Sequence, residues 1–491
     1  MAGLPPSRRE SHGSNARPSV PKPGRARGAA PWWHGWVLVL AMLVTLPMVN
    51  AHLRSDGNEY YAYLSSLAID HDLHFDNEYA RAEDTFRSML DSDFQRLPTG
   101  YRQNLASVGP ALMWAPFFFV GHLIAHVLVS RGAHLAMDGY SWPYIWSCAA
   151  GSALYAFLGL WLAYRLALRY AAPGAALLAT VLVWLASSLP VYLYFLPFHA
   201  HAVASFAVAW FLWNWIAVRD GGGAWRWLVW GLSAGLVTAT HYINGVMLLV
   251  AAMEIAAQLV RVRPIMATIR RSMLFVVGGV AVLTPGVIIR WIIAGSPFAT
   301  GYGGGLFFWR DPRLWQVAFA PEHGAILWTP VLALALVGLY WLSRRAPAVG
   351  IQLAVVTITF YYVVAAYQGW HGHSSYGNRF LTALTPIFVL GLAAFIDRVV
   401  AHTGGRRRWA AAWIVSGLLI AWNAGFMFQW GTNLIPNRGP VDMSVVVKNQ
   451  VTVVPQAMAR FLRRYFTSRG LLVREVEQGN AAGRGQYQPK R

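Results

Sequence analysis

The sequence predicts an all-α polytopic membrane protein with about eleven transmembrane helices. Of 491 residues, 56% are hydrophobic and 12% charged, against roughly 25% charged in a soluble domain. Stretches such as Trp36 to Asn50, Ala175 to Phe195 and Met273 to Ile293 approach the roughly 20 apolar residues that cross a bilayer. The basic residues sit in short clusters between these stretches. A net charge of +20 would suggest nucleic-acid binding in a soluble chain, but this distribution reads as topogenic. No nucleic-acid partner is therefore expected, and the lipid bilayer is the first partner. Basic patches such as Arg460, Arg463 and Arg464 can also meet anionic headgroups.

Residues 1–31 are rich in Pro, Gly, Ser and Arg; they cannot bury a core and are expected to form a disordered, basic, cytoplasmic arm. The segment Trp32 to Ala51 reads as an uncleaved anchor, with a cleaved signal peptide ending near Val49, Asn50 and Ala51 as the alternative. Basic clusters at Arg165 and Arg169, Arg219 and Arg226, Arg261 through Arg271, Arg344 and Arg345, and Arg406 through Arg408 are each expected on the cytoplasmic side. Walking between them gives spans at 33–51, 142–166, 174–196, 200–218, 226–242, 245–260, 272–293, 324–343, 349–368, 380–397 and 409–430. Gly109 to Ser130 is also apolar, yet one more crossing would invert every later basic cluster, so it is expected to lie in or dip into the outer leaflet; a misassigned neighbouring span is the alternative. The result is a body over 32–430, with an outer loop at 52–108 and a membrane-lying helix at 109–130. An outer segment follows at 431–491, disordered from about Gly479. Cys148 is the only cysteine, which rules out an internal disulfide. No internal repeat suggests two related halves.

Chemistry-bearing residues gather on the outer side. The loop at 52–108 holds Asp56, Glu59, Asp70, Asp72, Asp76, Glu78, Glu83, Asp84, Asp91 and Asp93, ten of the chain's twenty acids. Asp72 through Asp93 read as loop-solvating charge. Asp56 differs because it follows directly on the first span, where a carboxylate held by a rigid element can take a proton from a hydroxyl while a lipid-borne substrate approaches. It too has a solvating role as its alternative. The run Asp70 to Glu78 alternates oxygen ligands but lacks the glycine and twelve-residue spacing of an EF-hand loop.

Pro197-Phe198-His199-Ala200-His201 occupies the next outer turn. Histidines two apart do not share a helix face, and ionisable groups at membrane depth are costly and commonly functional. Trp370-His371-Gly372-His373-Ser374-Ser375-Tyr376-Gly377-Asn378-Arg379 places an arginine at a helix start among glycines. A phosphate would be received there by the guanidinium fork and the positive helix end, the alternative being a headgroup anchor. Gly295 to Phe298, the glycine run Gly301 to Gly305, Pro321-Glu322-His323-Gly324, and His241 with Asn244 also fall near outer helix ends. The glycine run reads first as a flexible loop, and His323 and His241 read first as structural. The 24 tryptophans are accounted for by aromatic belts at both interfaces.

This layout resembles the GT-C superfamily of polytopic glycosyltransferases, the group of the protein O-mannosyltransferases and the aminoarabinose transferases, and looks like its bacterial members. Asp56 matches the acidic position after the first span, His199 and His201 the second outer motif, and Gly109 to Ser130 the juxtamembrane helix. Trp370 to Arg379 is similar to a Trp-Gly-rich, Arg-containing motif before a late span. The likeness covers residues 33 to 300 in layout, on short motifs. It departs in splitting the usual Asp-Glu pair into Asp56 and Glu59, and in histidines where many relatives carry an acid.

The resemblance implies transfer of a sugar, with inversion, from a polyprenyl-phosphate donor to a hydroxyl of a glycan, lipid or protein at the outer face of a bacterial inner membrane. The N-terminus would be inside and the C-terminus outside. It implies Asp56 and Glu59 as catalytic, and Arg379, His371 and His373 at the donor phosphate. His199, His201, Tyr60, Trp370, Asn378 and His323 would line the substrate site. No cofactor is required by this reading, and a divalent metal stays open. No glycine-rich stretch has the strand-to-helix setting of a nucleotide loop. Two other classes compete. A transporter would place ionisable groups near the midplane, where Glu254 is almost the only acid and lies toward the cytoplasmic end. A metal-handling protein would need His199, His201, His371 and His373 to converge.

Overall fold

The computed structural model describes residues 31–90, 94–261, 264–299, 304–401 and 405–484. The basic arm at 1–30, Asp91 and Asp93, and Gly301 to Gly303 lie outside the described residues. Among the described residues there are helices and turns and no strand beyond two isolated bridges.

The principal helices are α1 (Trp32–Thr45), α2 (Asp56–Ser65), α3 (Gly109–Ser130), α4 (Trp142–Ala167), α5 (Pro173–Ala186), α6 (Ala200–Arg219), α7 (Ala224–Thr240) and α8 (Leu248–Arg261). They continue with α9 (Ile265–Ala294), α10 (Val331–Arg345), α11 (Pro347–Ala366), α12 (Thr385–Ile396), α13 (Arg406–Gly431), α14 (Met443–Thr452), α15 (Val454–Thr467) and α16 (Arg469–Arg484). Eight helical segments among the described residues are long and apolar enough to cross a membrane: seven fall on expected spans and the eighth is α3.

The other four expected spans are shorter or interrupted. The apolar helix ends at Ala186, the chain bends at Ser187 and Ser188, and past Pro190 it makes one π turn to Phe195; Pro330 separates Ala325–Trp328 from α10. The first anchor ends in a 3-10 turn carrying Pro47, and α7 stops after 17 residues. Proline lacks the N–H and clashes with the preceding turn, which hydropathy alone does not register.

Close helix approach rests on small residues, as expected where lipid removes the hydrophobic drive for helix association. α7 and α9 cross at Gly231, Gly235, Gly278 and Gly279; a Cβ on Gly231 would collide with the Phe275 carbonyl. α10 and α12 cross at Gly338 and Gly391 in the same way. α12 packs on α4, α5 and α10 and is buried almost throughout, whereas α9 and α13 turn most of their surface outward. Glu254, the acid inside a span, is held by Arg219, by Trp215 Nε1 at 3.1 Å and by Gln258 at 3.0 Å.

One face collects the ends that matter. The Asn50 N–H donates to the Tyr194 carbonyl at 2.6 Å, joining the end of α1 to the turn before α6. The His241 ring, just past α7, meets His201 at the start of α6. α3 begins against Ala239 and Thr240, at the end of α7 on this face, and by Gly121 lies against Pro143 and Tyr144 at the start of α4. Past residue 431, α14 to α16 are helical, and α16 runs to Arg484 through Gly479, where disorder was expected to begin.

The tight crossings give a stability prediction. Gly391→Val forces a side chain into the Ala335 carbonyl and should cost about 1–3 kcal/mol, read as a lowered midpoint of thermal unfolding in detergent. Gly417→Ala, with nothing within 4 Å of its added Cβ, should leave the midpoint unchanged; equal effects would remove the role assigned to the crossing.

Candidate active site

Asp56 opens α2, and three local features aim it. Ser55 holds a left-handed backbone at φ 54°, fixed by Glu83, whose two oxygens accept from the Ser55 N–H at 2.7 Å and from Asn58 Nδ2 at 2.8 Å. A Cβ on Gly57 would come within 2.8 Å of Phe198 Cβ, so only glycine lets this first turn lie against the segment that carries His199. Arg379 comes from the far end of the sequence, on the 3-10 turn that leads into α12. Its Nη1 stands 2.8 Å from Asp56 Oδ2, and His199 Nδ1 lies 4.0 Å from the same oxygen. Gly372, at φ 70°, makes room for the guanidinium: a Cβ there would sit 3.1 Å from Arg379 Nε.

Burial alone would raise the Asp56 carboxyl, but Arg379, then His199, His201 and His373, overcome it and hold Asp56 well below the usual carboxylate range. Burial pushes His199 and His373 down to about 4 and His323 to about 3. At neutral pH the site is therefore an ionised Asp–Arg pair among uncharged imidazoles.

Two histidine groups flank the pair. His199, His201 and His241 follow one another, with ring centroids 6.2 Å apart at each step, and Tyr192 packs against His201 at 4.7 Å. On the other side the His371 and His373 rings are 4.9 Å apart. His371 Nδ1 accepts the His373 N–H at 3.0 Å and lies 3.6 Å from Glu322 Oε1. His323 Nε2 donates to the His373 carbonyl at 3.0 Å, and His323 and His373 both have left-handed backbones. Tyr192 ties the groups together, its hydroxyl 3.1 Å from Ser375 Oγ and accepting the Tyr376 N–H at 3.2 Å. Both ring nitrogens of His199, Nδ1 of His241 and of His323, and Oδ1 of Asn378 are buried without a hydrogen-bond partner among the described residues. Orphaned polar atoms are rare inside proteins, and these five lie around the Asp56–Arg379 pair.

The expected residues thus divide. Asp56, Arg379, His199 and His373 converge, with His201 and His371 adjoining. Asn378 and Trp370 buttress, Asn378 Nδ2 donating to the Trp370 carbonyl at 2.8 Å. Tyr60 is buried in the apolar core. Glu59 is spent elsewhere: its Oε2 accepts the Leu105 N–H at 2.9 Å, while Asn104 Nδ2 donates to its carbonyl at 2.9 Å.

The sequence reading missed Arg290 of α9, whose guanidinium donates to Tyr242 Oη at 2.9 Å and to the carbonyls of Asn104 and Ala106, clamping the segment that Glu59 holds. An arginine near the end of an apolar span was the available signal. Among the described residues no group of three or more His, Cys, Asp or Glu side chains could hold a metal ion, so the four histidines of the two His-x-His elements do not form the nitrogen cage weighed above.

The helices build a polytopic fold like that of solved ArnT structures, the direction in which the sequence resemblance pointed. The solved structures that carry this comparison are ArnT from Cupriavidus metallidurans bound to undecaprenyl phosphate and the same protein in the apo state. The first is 16% identical with a TM-score of 0.51, covering 93% of this chain and 75% of ArnT; the second is 15% identical with the same TM-score, covering 92% and 75%. The likeness establishes the fold. No protein-family model matches the chain, and no curated protein matches it by sequence.

The burial of Glu59 has a measurable consequence. Burial first, then the charge of Asp56, pushes its carboxyl up to about 8 from an ordinary 4.5. The folded protein keeps this proton at pH values where the unfolded chain has released it, so stability falls as pH rises from 4.5 and levels off past 8. Glu59→Gln, which keeps an acceptor for Leu105, should flatten the decline of the unfolding midpoint across that window. A slope equal to the parent's would contradict the burial assigned to Glu59.

Proposed function

We propose that the protein transfers a sugar, with inversion, from a polyprenyl-phosphate donor to an acceptor hydroxyl at the membrane face that carries Asp56. The observation that carries this reading is the 2.8 Å pair of Asp56 with Arg379, a base and an anion receptor in contact at the ends of membrane helices. The acceptor oxygen attacks the anomeric carbon and passes its proton to Asp56. The bond from that carbon to the phosphate oxygen breaks, and the lipid phosphate leaves with its charge against Arg379, with His371 and His373 alongside. His199 and His201 line the reacting face, and Glu59 positions α2.

A base works best when its pKa lies near the operating pH, and Asp56 paired with Arg379 lies far below it. A donor phosphate competes for the same guanidinium. As Arg379 turns to the phosphate, Asp56 loses its strongest stabiliser and becomes more basic, so the base is made ready by the arrival of the donor.

We place the protein in a bacterial inner membrane with this face outward. α3 lies along the outer leaflet in this reading, because the start of α3 and its Gly121 rest against helix ends that share the site face. ArnT from Cupriavidus metallidurans, which shares the fold, was captured with undecaprenyl phosphate, a lipid of the proposed class.

The test is transfer from radiolabelled polyprenyl-phosphate sugars in membranes containing the protein. Asp56→Asn should lower the rate about 10²–10⁴-fold, the scale of a lost general base. Arg379→Ala should also fall steeply, with Arg379→Lys between it and the parent. Equal transfer by parent, Asp56→Asn and Arg379→Ala would reject the roles.

A further inference from the structure

α15 carries more apolar surface than its seat on the protein uses. Its inward stripe is Val454, Met458, Phe461 and Tyr465. The Phe461 ring lies 5.3 Å from Phe428 near the end of α13, and Tyr465 Oη donates at 2.6 Å to the carbonyl of Met48, just past the end of α1. The helix therefore lies across the ends of two apolar helices, at the level where hydrocarbon gives way to headgroups. A helix that faces water turns polar beyond its inward stripe. Here Leu462 and Phe466, one turn apart, continue the apolar arc and stay exposed, Phe466 by 56%.

Arginines come next round the helix. Residues three apart are neighbours on a helix surface, so Arg463 borders Phe466 and Arg460 borders Arg463. The sequence groups Arg464 with these two, but the structure separates it: Arg464 pairs with Glu475 of α16 in two contacts, at 3.0 and 2.7 Å. Arg469 is occupied as well, donating to the carbonyls of Val49 at 2.7 Å and Pro47 at 2.6 Å. Arg460 and Arg463 stand exposed, with no ion pair among the described residues. An exposed Leu–Phe edge bordered by two arginines fits the surface of an anionic bilayer, where the apolar side chains enter the acyl boundary and the cations meet the headgroups.

We propose that α15 is an interfacial helix whose Leu462 and Phe466 enter the outer leaflet and whose Arg460 and Arg463 bind the headgroups of anionic phospholipid, and that this contact supports the Asp56 site through the linker between α1 and α2. The path is short. Tyr465 and Arg469 hold three successive carbonyls of that linker, Pro47, Met48 and Val49, and Asp56 opens α2 a few residues further on. The lipid contact stands without the transferase reading; its effect on the rate of transfer rests on it.

The full-length protein is placed in phosphatidylcholine nanodiscs with a trace of photoactivatable phosphatidylglycerol or photoactivatable phosphatidylcholine, and the labelled peptides are mapped. Phosphatidylglycerol should label 454–476 in excess over phosphatidylcholine. Arg460→Gln and Arg463→Gln should each cut that excess about fivefold, the scale on which one basic residue is attracted to an anionic leaflet. Equal labelling by the two lipids, or an excess unchanged in the double variant, overturns the lipid contact. So does an excess abolished by unlabelled polyprenyl phosphate but not by the same amount of unlabelled phosphatidylglycerol, which would give the arginines to the donor. Transfer is then compared in phosphatidylcholine alone and in its mixture with phosphatidylglycerol. The parent's kcat should be higher in the mixture, and the double variant's the same in both; equal values for the parent overturn the coupling. Tyr465→Phe, which frees the Met48 carbonyl and keeps both arginines, should keep the label and lose part of the rate response, and a full response there overturns the coupling too. Excess label with no transfer from any donor would sink the transferase and leave the lipid contact, whereas transfer without excess label would do the reverse.

Discussion

The pairing of Asp56 with Arg379 is the constraint around which the site face is organised. Arg379 is largely buried and Asp56 keeps 33% of its side chain exposed; drawing such a pair even partly out of water is costly unless geometry and further contacts compensate, and here the compensation is assembled from distant parts of the chain. Glu83 holds the backbone before Asp56, Gly57 lets α2 touch Phe198, and Gly372 lets the loop close over the guanidinium. The left-handed backbones of Ser55, His323 and His373 all fall around this pair. Strain of that kind persists only where the surroundings over-determine it, and its clustering distinguishes this region from the outer loop's exposed ion pairs. Arg81 with Asp138 and Arg96 with Asp76 are half in solvent, where such pairs contribute little.

The polar groups around the pair are oriented by burial. Imidazoles held near pKa 3 to 4 stay neutral, so each can offer one donor and one acceptor without adding charge that would compete with Arg379 for an anion. A cage of protonated histidines would grip a leaving phosphate in the ground state and the transition state alike, which lowers KM without raising kcat. In the proposed transfer, Arg379 among neutral rings concentrates the stabilisation where charge develops.

Much of this was legible in the sequence, for identifiable reasons. The helical class followed from composition and run length, and Asp56, His199, His373 and Arg379 stood out because polar residues beside membrane helices are expensive enough to be noticed. Their pairing was not legible, because nothing local links residue 56 to residue 379. The expected spans at 174–196 and 324–343 are interrupted around Pro190 and Pro330, where hydropathy treats the apolar run as continuous. Glu59 was paired with Asp56 by the family resemblance, yet it is turned to the backbone of Leu105. Arg290 was hidden by the apolar run around it. The helix past Gly479 was not legible because the stretch from Gly479 to Arg484 carries no apolar run.

Arg290 shows how a lipid-facing helix supports the site. The segment from Asn104 to Ala106 is irregular, and its carbonyls need donors that no helix supplies. Arg290 gives them two while holding Tyr242, and Glu59 takes the Leu105 N–H from the other side. The segment is thereby held between α9, which presents most of its surface outward, and α2, whose first residue is Asp56. Chain beside a membrane has little water to satisfy stray backbone groups, so the same bonds that make this segment tolerable also fix the angle at which α2 delivers its carboxylate to Arg379.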